Sequence, residues 1–368
     1  MKKLNVLVPS VLALFVASAA HAGASFDTPQ GKLNIGGNVE YDVTADNFNE
    51  NKYDDNGNLV VADATDTQSL GGRILLDING ERVLSNGNFA GFKINPTYGT
   101  NGGYGSGEDH WFSFGVKNDW AVKLGHFEAY DLSPAGQDTY VADANMNLYR
   151  AKAARGRAND GSQAMFSKEA GQWHFEVATL FGSDNKMYDD ATINNVAVQK
   201  NKDPKIQKNK DPLLARPVVA WTGDTVTVAV GAEINLIPDA YTTGVRGEGE
   251  EASDWTGYGA TTTIKATDDL SFSLRGAYKD SDEQKDYTVG PGIQYQNFYA
   301  AYLYGLNNPD GDDNNTKNHV VYASYKIPAV MGIDNFDMYL GASYGEIKAD
   351  GEESVDQLGG RVRFKYFF

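Results

Sequence analysis

The chain has 368 residues, with 49 acidic side chains against 32 basic ones and a net charge of −17. That balance argues against nucleic acid as a partner, because such a protein must neutralise phosphates. The absence of cysteine excludes disulfides, thiolate nucleophiles and cysteine-ligated metals. Nothing after residue 22 approaches the ~20 consecutive apolar residues of a membrane-spanning helix.

In chain order, the first element is MKKLNVLVPSVLALFVASAAHA, residues 1–22. Lys2 and Lys3 precede an apolar stretch that ends in Ala20-His21-Ala22, the pattern of a secretory signal peptide cut after Ala22. Residues 23–368 are then expected to form one domain. Alternating segments recur along it, from KLNIGGNVEYDV (32–43) to QLGGRVRFKYFF (357–368), sixteen in all, the fifth of them WAVKLGHFEAY (120–130). Each fits a strand of ~10 residues with one apolar face. In residues 225–237, Val226, Val228, Val230, Ala232 and Ile234 share one face, and Thr227, Ala229, Gly231 and Glu233 the other. Pro217 and Pro291 weaken two segments, since proline cannot donate to a ladder.

The connections alternate in length. Long stretches at 48–66, 99–109, 131–160, 185–212 and 239–254 are interleaved with short turns such as SNGN, ND and TGD. Membrane barrels with short periplasmic turns and long extracellular loops have this asymmetry, and a soluble sandwich has no reason for it. Trp120, Trp173, Trp221, Phe298 and Phe336 stand beside short turns, where an interfacial girdle would lie. The expected fold is therefore all-β: a transmembrane antiparallel up-and-down barrel of 16 strands. Its last strand should turn Val362, Phe364, Tyr366 and Phe368 to lipid and Arg361, Arg363 and Lys365 to the lumen.

Sixteen strands enclose water rather than a filled core. One irregular segment can then be buried inside. The longest connection, residues 131–160, is the expected constriction loop, with a helix-prone piece at 146–154 and Asp131, Asp138, Tyr140, Tyr149 and Arg150 as its candidates. Strand parity turns Arg73, Lys93, Lys123, Arg216, Arg275, Arg361 and Arg363 inward as a cationic wall, with Glu40, Asp77 and Glu233 on the same face. Trp111 alternates with Phe112 and Phe114, which turns it inward near the outer mouth. A flat aromatic beside hydrogen-bonding groups suits the C–H face of a sugar. His110, His126, His174 and His319 form no local catalytic motif, so no catalytic, metal-binding or cofactor-binding residue is expected.

At KLGHFEAYDLSPAGQDTYVADA (123–144) the chain resembles the raffinose-type glycoporins of enterobacteria: a strand, Asp-Leu, a Pro/Gly bend and DTYV. The terminal Phe on an alternating strand also resembles a Gram-negative outer-membrane assembly signal. The resemblance implies a homotrimeric outer-membrane pore for oligosaccharides and other small hydrophilic solutes, without a cofactor. It implies lipid, lipopolysaccharide and the assembly machinery as partners. The alternatives are a non-selective general diffusion porin and an outer-membrane enzyme barrel. The near-tandem repeat QKNKDPKIQKNKDP (199–212) is expected in a surface loop.

Overall fold

The computed structural model describes residues 23–368 apart from 49–50, 54–58, 62–64, 101–103, 106–107, 135, 137–147, 157–161, 183–205, 209, 244–253, 282–283, 310–314 and 352–353. The expected leader, residues 1–22, lies outside the described residues.

Sixteen strands form the wall: β1 (Gly31–Phe48), β2 (Thr65–Val83), β3 (Asn88–Ile94, continued by Thr97–Gly99), β4 (Tyr104–Gly105, continued by His110–Val116), β5 (Trp120–His126), β6 (Ser162–Ala170), β7 (Trp173–Phe181) and β8 (Leu213–Thr222) come first. Then follow β9 (Val226–Asn235), β10 (Trp255–Lys265), β11 (Leu270–Ser281), β12 (Gln284–Tyr295), β13 (Phe298–Pro309), β14 (Thr316–Ile327), β15 (Phe336–Ala349) and β16 (Val355–Phe367). Each pairs antiparallel with the next. The sheet closes where β16 meets β1, with Phe367 opposite Asn38 and Gln357 opposite Phe48. Closure removes the unpaired edge that an open sheet of this width would present.

A short strand, Ala24–Thr28, pairs with residues 31–35 of β1 and continues the line of β16. Where the two meet, Phe368 and Gly37 exchange backbone hydrogen bonds of 2.9 and 3.0 Å. The Phe368 ring lies over Gly37, and a Cβ there would sit 2.7 Å from its Cζ. Only glycine leaves that aromatic its seat on the outer face.

The two faces divide as alternation requires. Outward stand Trp173, Phe175, Val177 and Phe181, all exposed, while His174, Glu176, Ala178 and Leu180 are buried inside. Outward aromatics cluster at the short-turn end, where Trp173 stands opposite Trp221 and Phe336 opposite Tyr366. Both prolines sit in the wall at a cost in pairing. The β8–β9 ladder passes from Ala215–Ile234 to Val218–Gly231, skipping Pro217, and the β12–β13 ladder from Val289–Tyr304 to Gly292–Ala301, skipping Pro291.

One expectation needs correction. The long/short alternation holds through the turn at 266–269, but on the long-loop side β11 ends at Ser281 and β12 begins at Gln284. There the length has gone into the strands, which run to 12 residues in β11 and β12 against 7 in β5. Within the repeat at 199–212, Ile206–Lys208 pairs with Tyr241–Thr243 as a small sheet separate from the wall.

Val362 faces outward in mid-strand, between Val43 and Leu340. Replacing it with Arg should cost about 2–4 kcal/mol in a lipid-refolded barrel, whereas Tyr366→Asp, near the strand end, should cost less. Urea midpoints for refolding into vesicles measure both, and an unaffected Val362→Arg midpoint would mean that this face meets water.

Candidate functional site

The wall gives up a segment at its fifth strand. β5 was expected to run on through Phe127–Tyr130, but it stops at His126 and the chain turns into the barrel. The inserted segment therefore begins four residues before the predicted constriction loop at 131. Away from the ladder its amides need other acceptors, and wall side chains supply them. Phe127 N donates to Gln163 Oε1 (3.2 Å), and Tyr130 N to Glu176 Oε1 (3.0 Å). Ala129 N donates to the Arg155 carbonyl (2.8 Å), which ties the two arms of the segment together.

The firmest attachment is a buried clamp on β8 and β9. Arg216 and Glu233 are fully enclosed, their side chains 3.3 Å apart. Glu233 also accepts from the Tyr149 hydroxyl (2.6 Å), Ala154 N (2.7 Å) and Ala153 N (3.3 Å), and Arg216 donates to the Ala151 carbonyl (3.1 Å). Burial, then the Glu233 carboxylate, push the Tyr149 hydroxyl well above its ordinary pKa, so it remains a donor. The helix expected around 146–154 does not form in the described part, residues 148–154. Ala151 adopts a left-handed φ of 51°, and the Ala153 and Ala154 amides, which a helix would pair with the carbonyls of residues 149 and 150, are taken by Glu233.

Glycines on the inner face of β9 and β10 make room for this contact. A Cβ at Gly231 would lie 2.8 Å from Leu132 Cδ1, one at Gly259 would lie 2.6 Å from Ala151 Cβ, and one at Gly257 would overlap the Tyr149 hydroxyl. Leu132, Tyr149, Ala151 and Ala154 consequently share a dry core with Leu180, Leu214, Val218 and Trp255 of the wall. Each fully buried leucine contributes roughly 1.5–3 kcal/mol.

Two further attachments flank the clamp. Arg275 donates to the Pro134 carbonyl, and to the hydroxyls of Tyr299 (2.9 Å) and Tyr322 (2.8 Å). On the segment itself, Arg155 bridges Glu128 (3.0 Å) and Asp131 (3.3 Å), with Lys152 3.6 Å from Asp131. Burial pushes the Asp131 carboxyl up, but Arg155 and Lys152 outweigh it and hold it below the usual carboxylate range. Arg150 is half-buried on the same segment. Asp138 and Tyr140 lie outside the described residues.

The other side of the lumen is built from charge pairs. Arg363 makes a bidentate contact with Asp42 (2.7 and 2.7 Å) and approaches Glu40 (3.3 Å). Arg361 lies 3.8 Å from Asp42, and Lys365 3.0 Å from Glu40. Arg73 meets Glu40 (3.8 Å) and Glu108, while Lys93 meets Asp77 (3.1 Å) and Asp109 (3.7 Å). The predicted cationic wall thus divides in two. Arg73, Lys93 and Arg361 keep 27%, 26% and 19% of their side chains open and are paired with acids, while Arg216 keeps none and Arg275 is sealed beneath the insert. Trp111 is inward at the root of the segment, packed on Phe127, Ala129, Met165 and Ala178. Lys123 Nζ stands 4.8 Å from its ring centre and 5.1 Å from that of Phe127.

Parity found the inward residues but not Gln163, Glu176, Tyr299 or Tyr322, which act on the insert from four separate strands. Their one visible signal is polarity on the face that alternation assigns to the interior. The inward pair Gly257 and Gly259, interleaved with outward Tyr258, is a second readable sign that something packs there.

Comparison with known proteins places this arrangement. The family described as porin-like glycoporin RafY matches residues 35–368. None of the curated proteins matches the chain by sequence. Among solved structures, the outer membrane channel DcaP of Acinetobacter baumannii aligns at a TM-score of 0.60 and 15% identity, covering 94% of this chain and 100% of that one. In-vitro folded OmpT of Vibrio cholerae, in a trimer form, aligns at 0.57 and 13%, covering 92% and 99%. An anion-selective porin from Comamonas acidovorans aligns at 0.54 and 13%, covering 91% and 99%. At these identities the likeness is one of fold.

Glu233→Ala strands a buried Arg216 and three donors of the insert. It should cost about 3–5 kcal/mol, whereas joint replacement, Arg216→Met with Glu233→Leu, removes the stranded charge but leaves the three donors unmet, so it should recover only part of the loss. The temperature at which the barrel unfolds in detergent reports both, with noisier single-channel currents in Glu233→Ala. Equal stability of Glu233→Ala and wild type would show that the insert is held elsewhere.

Proposed function

The chain belongs to the porin-like glycoporin RafY family, and we propose that this Gram-negative outer-membrane channel for small solutes passes oligosaccharides, as a homotrimer. The observation that carries the sugar reading is Trp111, a half-buried indole at the root of the insert, with the Lys123 ammonium beside it. A pyranose offers an apolar C–H face to such a ring and hydroxyls to the neighbouring cation. Further along, the paired wall of Arg73, Lys93, Arg361 and Arg363 with Glu40, Asp42 and Asp77 offers donors and acceptors at short intervals, which suits a polyhydroxylated, uncharged solute. Asp138 and Tyr140 belong to the same proposal on sequence grounds alone. The trimer form of one structural neighbour supports the homotrimer. Substrate passes by diffusion, and the constriction selects by fit and by transient contact.

The test is current through single channels in planar bilayers with a panel of di- and trisaccharides. Trp111→Ala should weaken sugar block several-fold while leaving salt conductance within about a factor of two. Equal block in wild type and variant would instead favour a general diffusion porin. The charge pairs make a separate expectation. Around this wall Arg73, Lys93, Arg361, Arg363 and Lys365 balance Glu40, Asp42, Asp77, Glu108 and Asp109. Changing Arg361 and Arg363 to Gln leaves Asp42 and Glu40 undercompensated, so the reversal potential in a salt gradient should move toward cation preference. An unchanged potential would place that pair outside the narrow zone.

A further inference from the structure

His110 opens the long piece of β4 and His126 closes β5, and the two are cross-strand partners. Because their neighbours Trp111 and Lys123 point into the lumen, alternation turns both histidines outward, at the long-loop rim of the barrel. Their rings are parallel to within 7°, with centroids 4.8 Å apart. His126 Nδ1 lies 2.9 Å from the Glu108 carbonyl oxygen. An N–H donated there fixes the neutral tautomer and leaves the Nε2 lone pair free, the arrangement by which proteins orient a metal-binding imidazole. His110 stands exposed beside it.

The geometry points to a two-histidine site for a divalent transition metal of the Zn²⁺, Ni²⁺ or Cu²⁺ type. Imidazole nitrogen suits this group of metals and suits Ca²⁺ or Mg²⁺ poorly. The stacked rings do not share an ion as they stand, but the χ2 torsion of His110 is soft, so its ring can turn to bring a nitrogen toward an ion held at His126 Nε2. Among the described residues no cluster of three or more His, Cys, Asp or Glu side chains could hold a metal, so the site rests on the two imidazoles. The other described histidines are engaged differently: His174 lies between Glu169 (2.6 Å) and Glu176 (3.6 Å), and His319 is held by the Tyr302 hydroxyl (2.7 Å). The position also has a consequence for the pore. His126 is the last wall residue before Phe127 enters the lumen, and Glu108, which holds its ring through the backbone, sends its carboxylate inward to Arg73. An ion bridging β4 and β5 at this rim therefore braces the root of the inserted segment.

The test is titration of the folded, detergent-solubilised barrel with Zn²⁺ in a non-chelating buffer, followed by calorimetry. His110→Ala and His126→Ala should each weaken the histidine-dependent phase by roughly tenfold or more, since a lone imidazole loses the chelate. His319→Ala should leave it intact. Zn²⁺ should also raise the unfolding temperature of wild type and not that of the double variant, as expected for a ligand bound only by the folded state. Cu²⁺ bound to wild type should show two coordinated nitrogens by electron paramagnetic resonance. Undiminished Zn²⁺ binding by a folded His110→Ala/His126→Ala barrel would assign the metal to surface carboxylates and overturn the site. Loss of binding in His319→Ala would overturn it as well.

Discussion

A backbone that leaves its ladder at membrane depth still carries a donor and an acceptor at nearly every residue, and neither lipid nor an apolar core can satisfy them. The inserted segment from Phe127 to Gly156 is organised around that constraint. Among its described residues, the amides of Phe127, Tyr130, Ala153 and Ala154 are met by carboxylates and a carboxamide from the wall, and the carbonyls of Pro134 and Ala151 by wall arginines. Glu233 alone takes two backbone amides, a tyrosine hydroxyl and an arginine. A buried ion pair is weak evidence for stability when it stands alone. Here the pair is multiply bonded to the chain it holds, so its function is to fix position.

The asymmetry of the lumen follows from the same attachment. The insert lies against the inner faces of β6 to β13, where small inward residues such as Gly231, Gly257, Gly259 and Ala178 accept it and a dry core forms. Trp111 of β4 and Tyr322 of β14 border the insert, and the strands left uncovered, β15, β16 and β1 to β3, have no such partner. Their inward charges must be satisfied by one another and by water. Arg216 and Arg275 on the covered side thus serve as anchors, and the cations on the other side, the more open Arg73, Lys93 and Arg361 and the buried Arg363 alike, are paired along the wall. One chemical class divides into two roles according to the path of one segment.

That division also sets what could be read in the sequence. Outward faces were legible because each strand must alternate, and Val226 to Ile234 or Val362 to Phe368 can do so in only one register. The inward direction of Trp111 and of the arginines followed from the same period of two. Whether Arg216 is sealed and Arg361 open depends on contacts made across the lumen by residues over fifty positions away in the chain, which no local period encodes. The end of β5 was misplaced because HFEAY still alternates; what ends the strand is the set of acceptors at Gln163 and Glu176, on two other strands. Turn lengths were legible where loops are long, and failed at 282–283, where strand extension replaced loop.

Charge pairing bears on the proposed sugar route through distance dependence. Two unit charges about 4 Å apart interact by ~4 kcal/mol at an effective dielectric of 20, but from several ångströms away a neutral pair looks like a dipole, and its field fades quickly in a wet lumen. An ion near the centre of the channel therefore feels little net sign from Arg363 with Asp42 or Lys93 with Asp77. A solute that touches the wall meets a dense alternation of donors and acceptors. Such a wall rewards many weak, short-range hydrogen bonds over a single charge. Polyhydroxylated molecules can trade their water for those bonds one at a time, without any one contact being strong enough to hold them in the pore.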